Sequence, residues 1–201
     1  MSDASSPAEL VRAGVLEARS KHPPFLEAVL ADARLTAAFR GERHEFSSRV
    51  DGLRQALRLM LETDAFLGLV CYRLKARLQS RGVPLLPWIA HRLAIMFSQI
   101  SIGDAAVLAP GVFIPNGQVV IYGIVEIAPG AVLFPFVTIG VIAGDPEGPK
   151  VGPFAQIGTG AKVMGNIEVG ANSRVGINAV VLDDVAPNTT VVGMPAAPAE
   201  D

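Results

Sequence analysis

Residues 151–181 read VGPFAQIGTGAKVMGNIEVGANSRVGINAVV, and an aliphatic residue returns at every sixth place: Val151, Ile157, Val163, Val169, Val175 and Val181. Upstream the same beat is kept by Ile121, Ile127, Leu133 and Ile139, and, one residue out of phase, by Ile102, Leu108 and Ile114. Four places after most of these stands a small or apolar residue, as at Ala106, Val125, Ala155 and Ala179, and the next residue is often glycine, as at Gly103, Gly152, Gly158 and Gly170. A period of six fits neither a helix at about 3.6 nor a single amphipathic strand at about 2, so the chain repeats a short strand plus a turn. That is the grammar of a parallel β-helix, in which each coil stacks its aliphatic residues on those below. Gly or Asn takes the corners where a side chain or a negative φ is awkward. An antiparallel sandwich is the competing fold, but its turns recur at about 8–12 residues and vary in length.

One break interrupts the beat. After Ile139-Gly140 comes VIAGDPEGPK, where the sixth position is Asp145, a residue that cannot sit unpaired inside the prism. The chain is expected to leave the wall as a loop over 140–150 and to rejoin it at Val151, and projecting loops are common carriers of binding function.

Residues 1–98 follow a different pattern. Ser6-Pro7 and Glu9 open a helix that Pro23-Pro24 stops; further helices are expected over 25–40, over 45–61 with apolar residues Val50, Leu53, Leu57 and Met60, over 65–80 capped by Asp64, and over 86–97. All three histidines, His22, His44 and His91, lie in this half.

Bulk composition narrows the function classes. The 201 residues are half apolar, enough for a sizeable core, and a net charge of −2 gives no sign of a nucleic-acid partner. The single Cys71 excludes a disulfide framework and fits a reducing compartment, and the N-terminus lacks the pattern of a signal peptide. The apolar windows 65–78 and 83–97 are broken by Arg73, Lys75, Arg77, His91 and Arg92, which argues against a membrane span and for helices packed on a neighbour. A cytoplasmic location is the expectation.

The segment IGTGAKVMGNIEVG together with the terminal VVGMPA resembles the serine acetyltransferases, hexapeptide-repeat enzymes that carry an acetyl group from acetyl-CoA to the serine hydroxyl. The resemblance covers roughly residues 60–196 and implies an α+β fold: an N-terminal helical domain over 1–98, then a left-handed parallel β-helix over 99–201 with the loop and a C-terminal tail. It also implies a homotrimer or dimer of trimers with CoA in the groove between adjacent prisms. Carried over by position, the CoA wall is Gly140, Thr159, Gly160, Ala161, Arg174 and Gly176. Small residues let a pantetheine arm approach backbone amides, and Arg174 can meet a phosphate. No tightly bound cofactor is implied, only acetyl-CoA or another acyl-CoA as co-substrate.

The sequence departs from the family where the chemistry is done. The family's Leu-Asp-His stretch is matched by Ile114-Pro115-Asn116, the Asp that orients the histidine by Ser101, and the loop's Arg-His by Glu147-Gly148. An Asn side chain cannot take up a proton near neutral pH, and general-base catalysis is worth about 10²–10⁴ in rate. Asn116, Glu147 and Ser101 therefore mark the matching catalytic positions of a divergent acyl-CoA-dependent acyltransferase whose small-molecule acceptor is not ordinary serine. Asp145, Tyr122 and Lys150 are further candidates for a replacement group. Two alternatives stand beside it: a non-catalytic homologue that acts as a scaffold or partner of another enzyme, and a CoA- or thioester-binding protein with a different reaction. The repeat carries no histidine, so a zinc site of the β-helix carbonic anhydrase type is excluded and no metal is expected.

Overall fold

In the computed structural model, which describes residues 7–198, five helices precede the repeat: α1 (Pro7–Lys21), α2 (Phe25–Phe39), α3 (Arg49–Glu62), α4 (Asp64–Ser80) and α5 (Leu86–Ser98). The repeat then winds as a three-faced left-handed parallel β-helix. Its first face stacks Ile100–Ile102, Val119–Ile121, Thr138–Gly140, Lys162–Met164 and Val180–Val181. Its second stacks Val107–Leu108, Ile124–Ile127, Glu147–Val151 and Glu168–Val169, and its third stacks Val132–Leu133, Gln156–Ile157, Arg174–Val175 and Thr190–Gly193. An antiparallel strand, Ala196–Pro198, covers the last rung of the third face.

The sixfold aliphatic residues are the rungs of these faces. Ile121 pairs with Ile139 and Val163 with Val181, so a full coil is three hexads. All point inward and are essentially fully buried, and they merge into one core that runs the length of the prism. The phase slip between Ile114 and Ile121 is an extra residue in one corner: Ile102 still pairs with Ile121, and Gln118, in the left-handed region at φ 69°, donates its amide to the carbonyls of Ser98 and Gln99. The excursion after Gly140 is shorter than the expected loop over 140–150. Residues 141–146 leave the first face, and the chain rejoins the stack through Glu147–Val151 on the second.

Glycine and asparagine take the corners as expected, while the expectations about α3 and α4 need correction. Gly158 does not have a positive φ; a Cβ there would lie 2.6 Å from the carbonyl oxygen of Val175, so close approach of the next coil excludes a side chain. Left-handed corners are held by glycines such as Gly111, Gly130 and Gly160 and by Asn172, Asn178 and Asn188, and even by Phe136 and Phe154. In α3 the supposed apolar stripe Val50, Leu53 and Leu57 faces outward, while Gly52, Ala56 and Leu59 are buried. The small pair Gly52 and Ala56 lets α3 approach Leu30 and Phe46 closely, which sets the buried side. That helix begins later than the sequence suggested, at Arg49, because the Ser48 hydroxyl accepts the Asp51 amide at 3.2 Å as an N-cap. Asp64 opens the first turn of α4 rather than capping it, with Thr63 at the cap position.

Helix α4 closes the N-terminal end of the prism. The lowest coil has no rung beneath it, so its backbone groups need partners from elsewhere. Tyr72 supplies a hydroxyl that donates to the Ala106 carbonyl at 2.9 Å and accepts the Leu108 amide at 3.1 Å. Arg73 donates to the carbonyls of Leu108 and Ala109 and forms a two-pronged pair with Asp32 of α2, whose Oδ1 in turn accepts the amides of Gly111 and Val112. Lys75 donates to the Ile102 carbonyl and pairs with Asp104 at 2.9 Å. Charges that break the apolar pattern of α4 are thus the groups that solvate the prism's base.

Replacing Arg73 by Met should leave Asp32 buried without a counter-ion and two carbonyls without donors. A loss of about 3–5 kcal/mol is expected, read as a lowered urea midpoint with circular dichroism.

Candidate functional site

The sequence-matched positions fall on two edges of the prism with the first face between them. Asn116 lies in the corner that leads from Ile114 to the first face, and the following Gly117-Gln118 turn packs against Ser98 at the junction with α5. Ser101 stands on the first face with its Cα opposite that of Val120. Thr159, Gly160 and Ala161 occupy the same edge two coils higher: the Thr159 carbonyl accepts the Asn178 amide at 2.9 Å, and the Asn178 side chain lies directly over Gly160. Gly176 is one coil further along that edge, beneath Val191 and Val192, and Arg174 projects from the third face between Gln156 and Thr190. These positions therefore form a vertical strip.

Gly140 and Glu147 belong to the other edge. Gly140 ends the first-face strand and carries the Tyr122 ring across it; a Cβ there would meet Cζ of that ring at 2.5 Å. The Tyr122 hydroxyl points to Sδ of Met164 at 4.0 Å. Glu147 is exposed, accepts Asn166 Nδ2 at 3.2 Å, and has its own amide bound by Asp145 Oδ1 at 2.9 Å. Asp145 thus shapes the loop, and Lys150 faces the second face between Glu126 and Glu168. Within one chain the Asn116 edge and the Glu147 edge do not converge.

Two features alter the expected wall. Ala161 is fully buried with its methyl in the core, so it offers a ligand only backbone. Lys162, which the sequence did not single out, is half-buried, with Nζ held by the Phe136 carbonyl at 2.8 Å and the Thr138 hydroxyl at 3.0 Å. It sets a fixed positive charge beside the Thr159–Gly160 corner. Arg174 is exposed and has no carboxylate partner among the described residues.

At Asn116 the structure also brings in residues that sequence proximity could not reveal. A cleft of about 370 Å³ is lined by Phe39, Arg40 and Thr63 from the helices and by Phe113, Asn116 and Phe134 from the prism. Phe39 stacks on Phe113 with ring centroids 4.5 Å apart and planes inclined by 11°. Phe113 is therefore covered by the chain's own α2, not by a neighbouring copy, whereas Phe136 remains 55% exposed. A larger cavity, about 640 Å³, lies elsewhere, on the second face between Lys21, Pro110, Lys150 and Pro187. Of the candidate catalytic and binding residues read from the sequence it holds Lys150 alone, and the smaller cleft is the better candidate because it holds Asn116.

No histidine reaches either edge. His22 packs edge-on to Tyr72 at 6.0 Å under the prism, where burial, aided by Arg73 and Lys75, lowers its pKa to about 4 and keeps the ring neutral. His91 sits beside Lys75 and Asp104 in the middle of α5, and His44 bonds the Glu42 carbonyl on the surface. Among the described residues no group of three His, Cys, Asp or Glu side chains is placed to hold a metal ion, and no helix is long and apolar enough to cross a membrane.

Comparison with known proteins gives the frame for this strip. The chain is 36% identical over 132 residues to a serine acetyltransferase of Helicobacter pylori, covering 77% of that protein. It belongs to the serine acetyltransferase family. A serine acetyltransferase of Synechococcus elongatus is 34% identical over 146 residues, 71% of this chain and 59% of the relative. The chain spans less than two thirds of that protein, and likewise 56% and 63% of the serine acetyltransferases of Mycobacterium tuberculosis and Escherichia coli that it matches. Soybean serine acetyltransferase superposes with a TM-score of 0.73 at 28% identity, over 98% of this chain and 78% of that one. A serine acetyltransferase solved in complex with CoA superposes with a TM-score of 0.72 at 25% identity, over 96% and 77% of the two chains. No family model matches the sequence.

The contact of Tyr122 with Gly140 makes a specific test of the second edge. Gly140→Ala should displace the ring and destabilise the prism by about 1–3 kcal/mol, as overpacking does. Adding Tyr122→Ala should recover most of that loss, a non-additivity readable in a denaturation double-mutant cycle.

Proposed function

We propose that this member of the serine acetyltransferase family is an acyl-CoA-dependent transferase that has exchanged serine for another small acceptor. In such a reaction the acceptor's heteroatom bonds to the acyl carbon, the carbon–sulfur bond breaks, and CoA leaves as the thiol with the proton the acceptor gives up. Supporting the first half is the strip of Thr159, Gly160, Arg174 and Gly176, with Lys162 beside it: partly exposed small residues that leave room for close approach and two cations suited to a phosphorylated, extended ligand. A relative of this family has been solved with CoA bound.

The observation that carries the second half is Asn116. It occupies the position of the family's base in the resemblance, lines the aromatic cleft, and its amide has no hydrogen-bond partner among the described residues. An amide can orient an acceptor but cannot deprotonate a hydroxyl. Ser101 and Glu147 stand where an orienting Asp and a carboxylate-binding Arg would be, so neither the ring of a base nor the carboxylate of serine would find its partner. The scaffold reading is favoured by the same absence of histidine, and CoA affinity separates the two.

Titration calorimetry should show CoA binding to the full chain, weakened about tenfold by Arg174→Ala, the worth of one charge-assisted hydrogen bond. Serine should not be acetylated by the unmodified protein, and Asn116→His combined with Ser101→Asp should restore measurable serine acetylation. No CoA binding would leave the scaffold reading, and robust serine turnover by the unmodified protein would refute the change of acceptor.

Assembly as a homotrimer or dimer of trimers forms part of this proposal. The Asn116 and Glu147 edges lie apart on one prism, and side-by-side copies would bring one edge against another. Exposed apolar residues on and beside the first face, including Phe136 and Ile177 at 55% and 73% exposure, give such a contact its apolar area. Light scattering should return a mass of three or six chains, and a monomer would contradict this assembly.

A further inference from the structure

The cleft beside Asn116 is half of a site, and what completes it bears on the acceptor; the inference rests on the acyltransferase reading and the assembly above. From its own chain the cleft has the rings of Phe113 and Phe134, the Asn116 amide and the hydroxyl of Thr36. Thr36 is only 4% exposed, and its hydroxyl has no hydrogen-bond partner among the described residues, which leaves it for a ligand. The cation lining the cleft, Arg40, is already paired with Glu42 at 2.7 Å and with Glu62 at 3.2 Å.

The register of the prism fixes the height at which a neighbour meets this cleft. On the Asn116 edge the corner at Pro135-Phe136 is one coil higher and that at Thr159-Gly160 two, with the Gly160 amide donating to the Pro135 carbonyl at 2.9 Å. The strand that leaves the first of these corners, Thr138–Gly140, runs to the loop that delivers Glu147 on the other edge. Glu147 thus stands between one and two coils above Asn116, roughly 5–10 Å at about 4.8 Å a coil. Copies related by an axis parallel to the prisms stand at equal height. With the two edges in contact, the neighbour's Glu147 lies between the level of Asn116 and that of Thr159-Gly160, where an acyl group carried by CoA would meet its acceptor.

A carboxylate drawn from water into such a contact needs a counter-charge. Its own loop supplies none: Asp145 is folded back on the Glu147 amide, Lys150 faces the second face between Glu126 and Glu168, and the Glu147 carboxylate accepts only the neutral Asn166 Nδ2 at 3.2 Å among the described residues. Arg40 is spent on its own partners, and Lys162 and Arg174 lie higher, on the strip assigned to CoA. We propose that the positive charge is the acceptor's, a primary alkyl amine without a carboxylate, held as its ammonium between Glu147 of the neighbouring copy and Oδ1 of Asn116. The rings of Phe113 and Phe134 suit a cation and its alkyl body alike. An amino acid would bring a carboxylate toward Glu147 with no cation left to hold it. In the reaction the ammonium passes one proton to water by way of Glu147, and the freed lone pair attacks the thioester carbon. The nitrogen–carbon bond forms, the carbon–sulfur bond breaks, and the second proton shed by nitrogen ends on the CoA sulfur, leaving an N-alkyl amide.

The test uses the full chain in its own assembly with three probes: 2-phenylethylamine, its uncharged isostere 2-phenylethanol, and L-serine. Saturation-transfer NMR reads binding, and mass spectrometry reads acetylation from acetyl-CoA. 2-Phenylethylamine should bind most tightly and become its N-acetyl derivative. Glu147→Gln should weaken that binding about tenfold, the worth of one charge-assisted hydrogen bond, and leave 2-phenylethanol within about twofold. Oligomers mixed from Glu147→Gln chains and Asn116→Trp chains, whose cleft is filled, should regain activity that neither has alone, because an intact cleft then faces an intact Glu147. No recovery overturns the shared site. Tighter binding of 2-phenylethanol or serine, or amine binding untouched by Glu147→Gln, overturns the cationic acceptor. CoA binding without acetylation of the amine refutes the acceptor alone, whereas a chain that binds no CoA refutes the transferase reading with it.

Discussion

The lowest coil of a parallel β-helix is a sheet edge on every side, with carbonyls and amides that have no rung beneath them. In this protein those groups are satisfied by side chains, from Tyr72, Arg73 and Lys75 of α4 and from Asp32 of α2. Unsatisfied buried backbone groups are costly enough that this cap is a condition of the fold rather than an ornament. It also explains why ionised residues can occupy the apolar face of α4: burial of Arg73 is tolerated because Asp32 and two carbonyls surround it. Ala65, Leu69 and Tyr72 continue the prism's core downward past the cap, so helices and repeat share one interior.

From that base, position is inherited upward. Each corner is registered by hydrogen bonds to the coils beside it, and each edge presents residues at a fixed height. The cleft at Asn116 exists because α2 reaches the lowest coil through Asp32, which sets Phe39, seven residues later, beside Phe113. The loop after Gly140 is accommodated without disturbing this order, because Asp145 organises its end and the chain re-enters the stack at the proper rung. Structural support and candidate chemistry are thus linked through one short helix.

Much of this was legible in the sequence, for a clear reason. Every sixth residue must point into a triangular prism, so the pattern of Ile121 to Val181 identifies the three faces directly, and even the slip after Ile114 marks a real corner insertion. Asp145 marked the excursion because an ion could not replace a rung. The helical half was less transparent. Val50, Leu53 and Leu57 suggested a buried stripe, yet the approach of Gly52 and Ala56 to α2 decided the packing, and smallness leaves a weak signal in hydrophobic periodicity. Nor could the sequence join Phe39 to Phe113 or Asp32 to Arg73, since these contacts span long separations and depend on how the helices dock. The family motif located Asn116, but the aromatic environment around it came only with the folded chain.

The short return strand at the far end has its own significance. A stack of parallel rungs is a template, and an uncovered top rung invites the same surface of another molecule to add itself, coil on coil, into a growing fibre. Here Ala196–Pro198 runs antiparallel across Val191–Gly193, reversing the strand direction where an extension of the third face would begin. The return strand thus occupies the edge at which a third-face extension would add, while Ala196 closes over the end of the core.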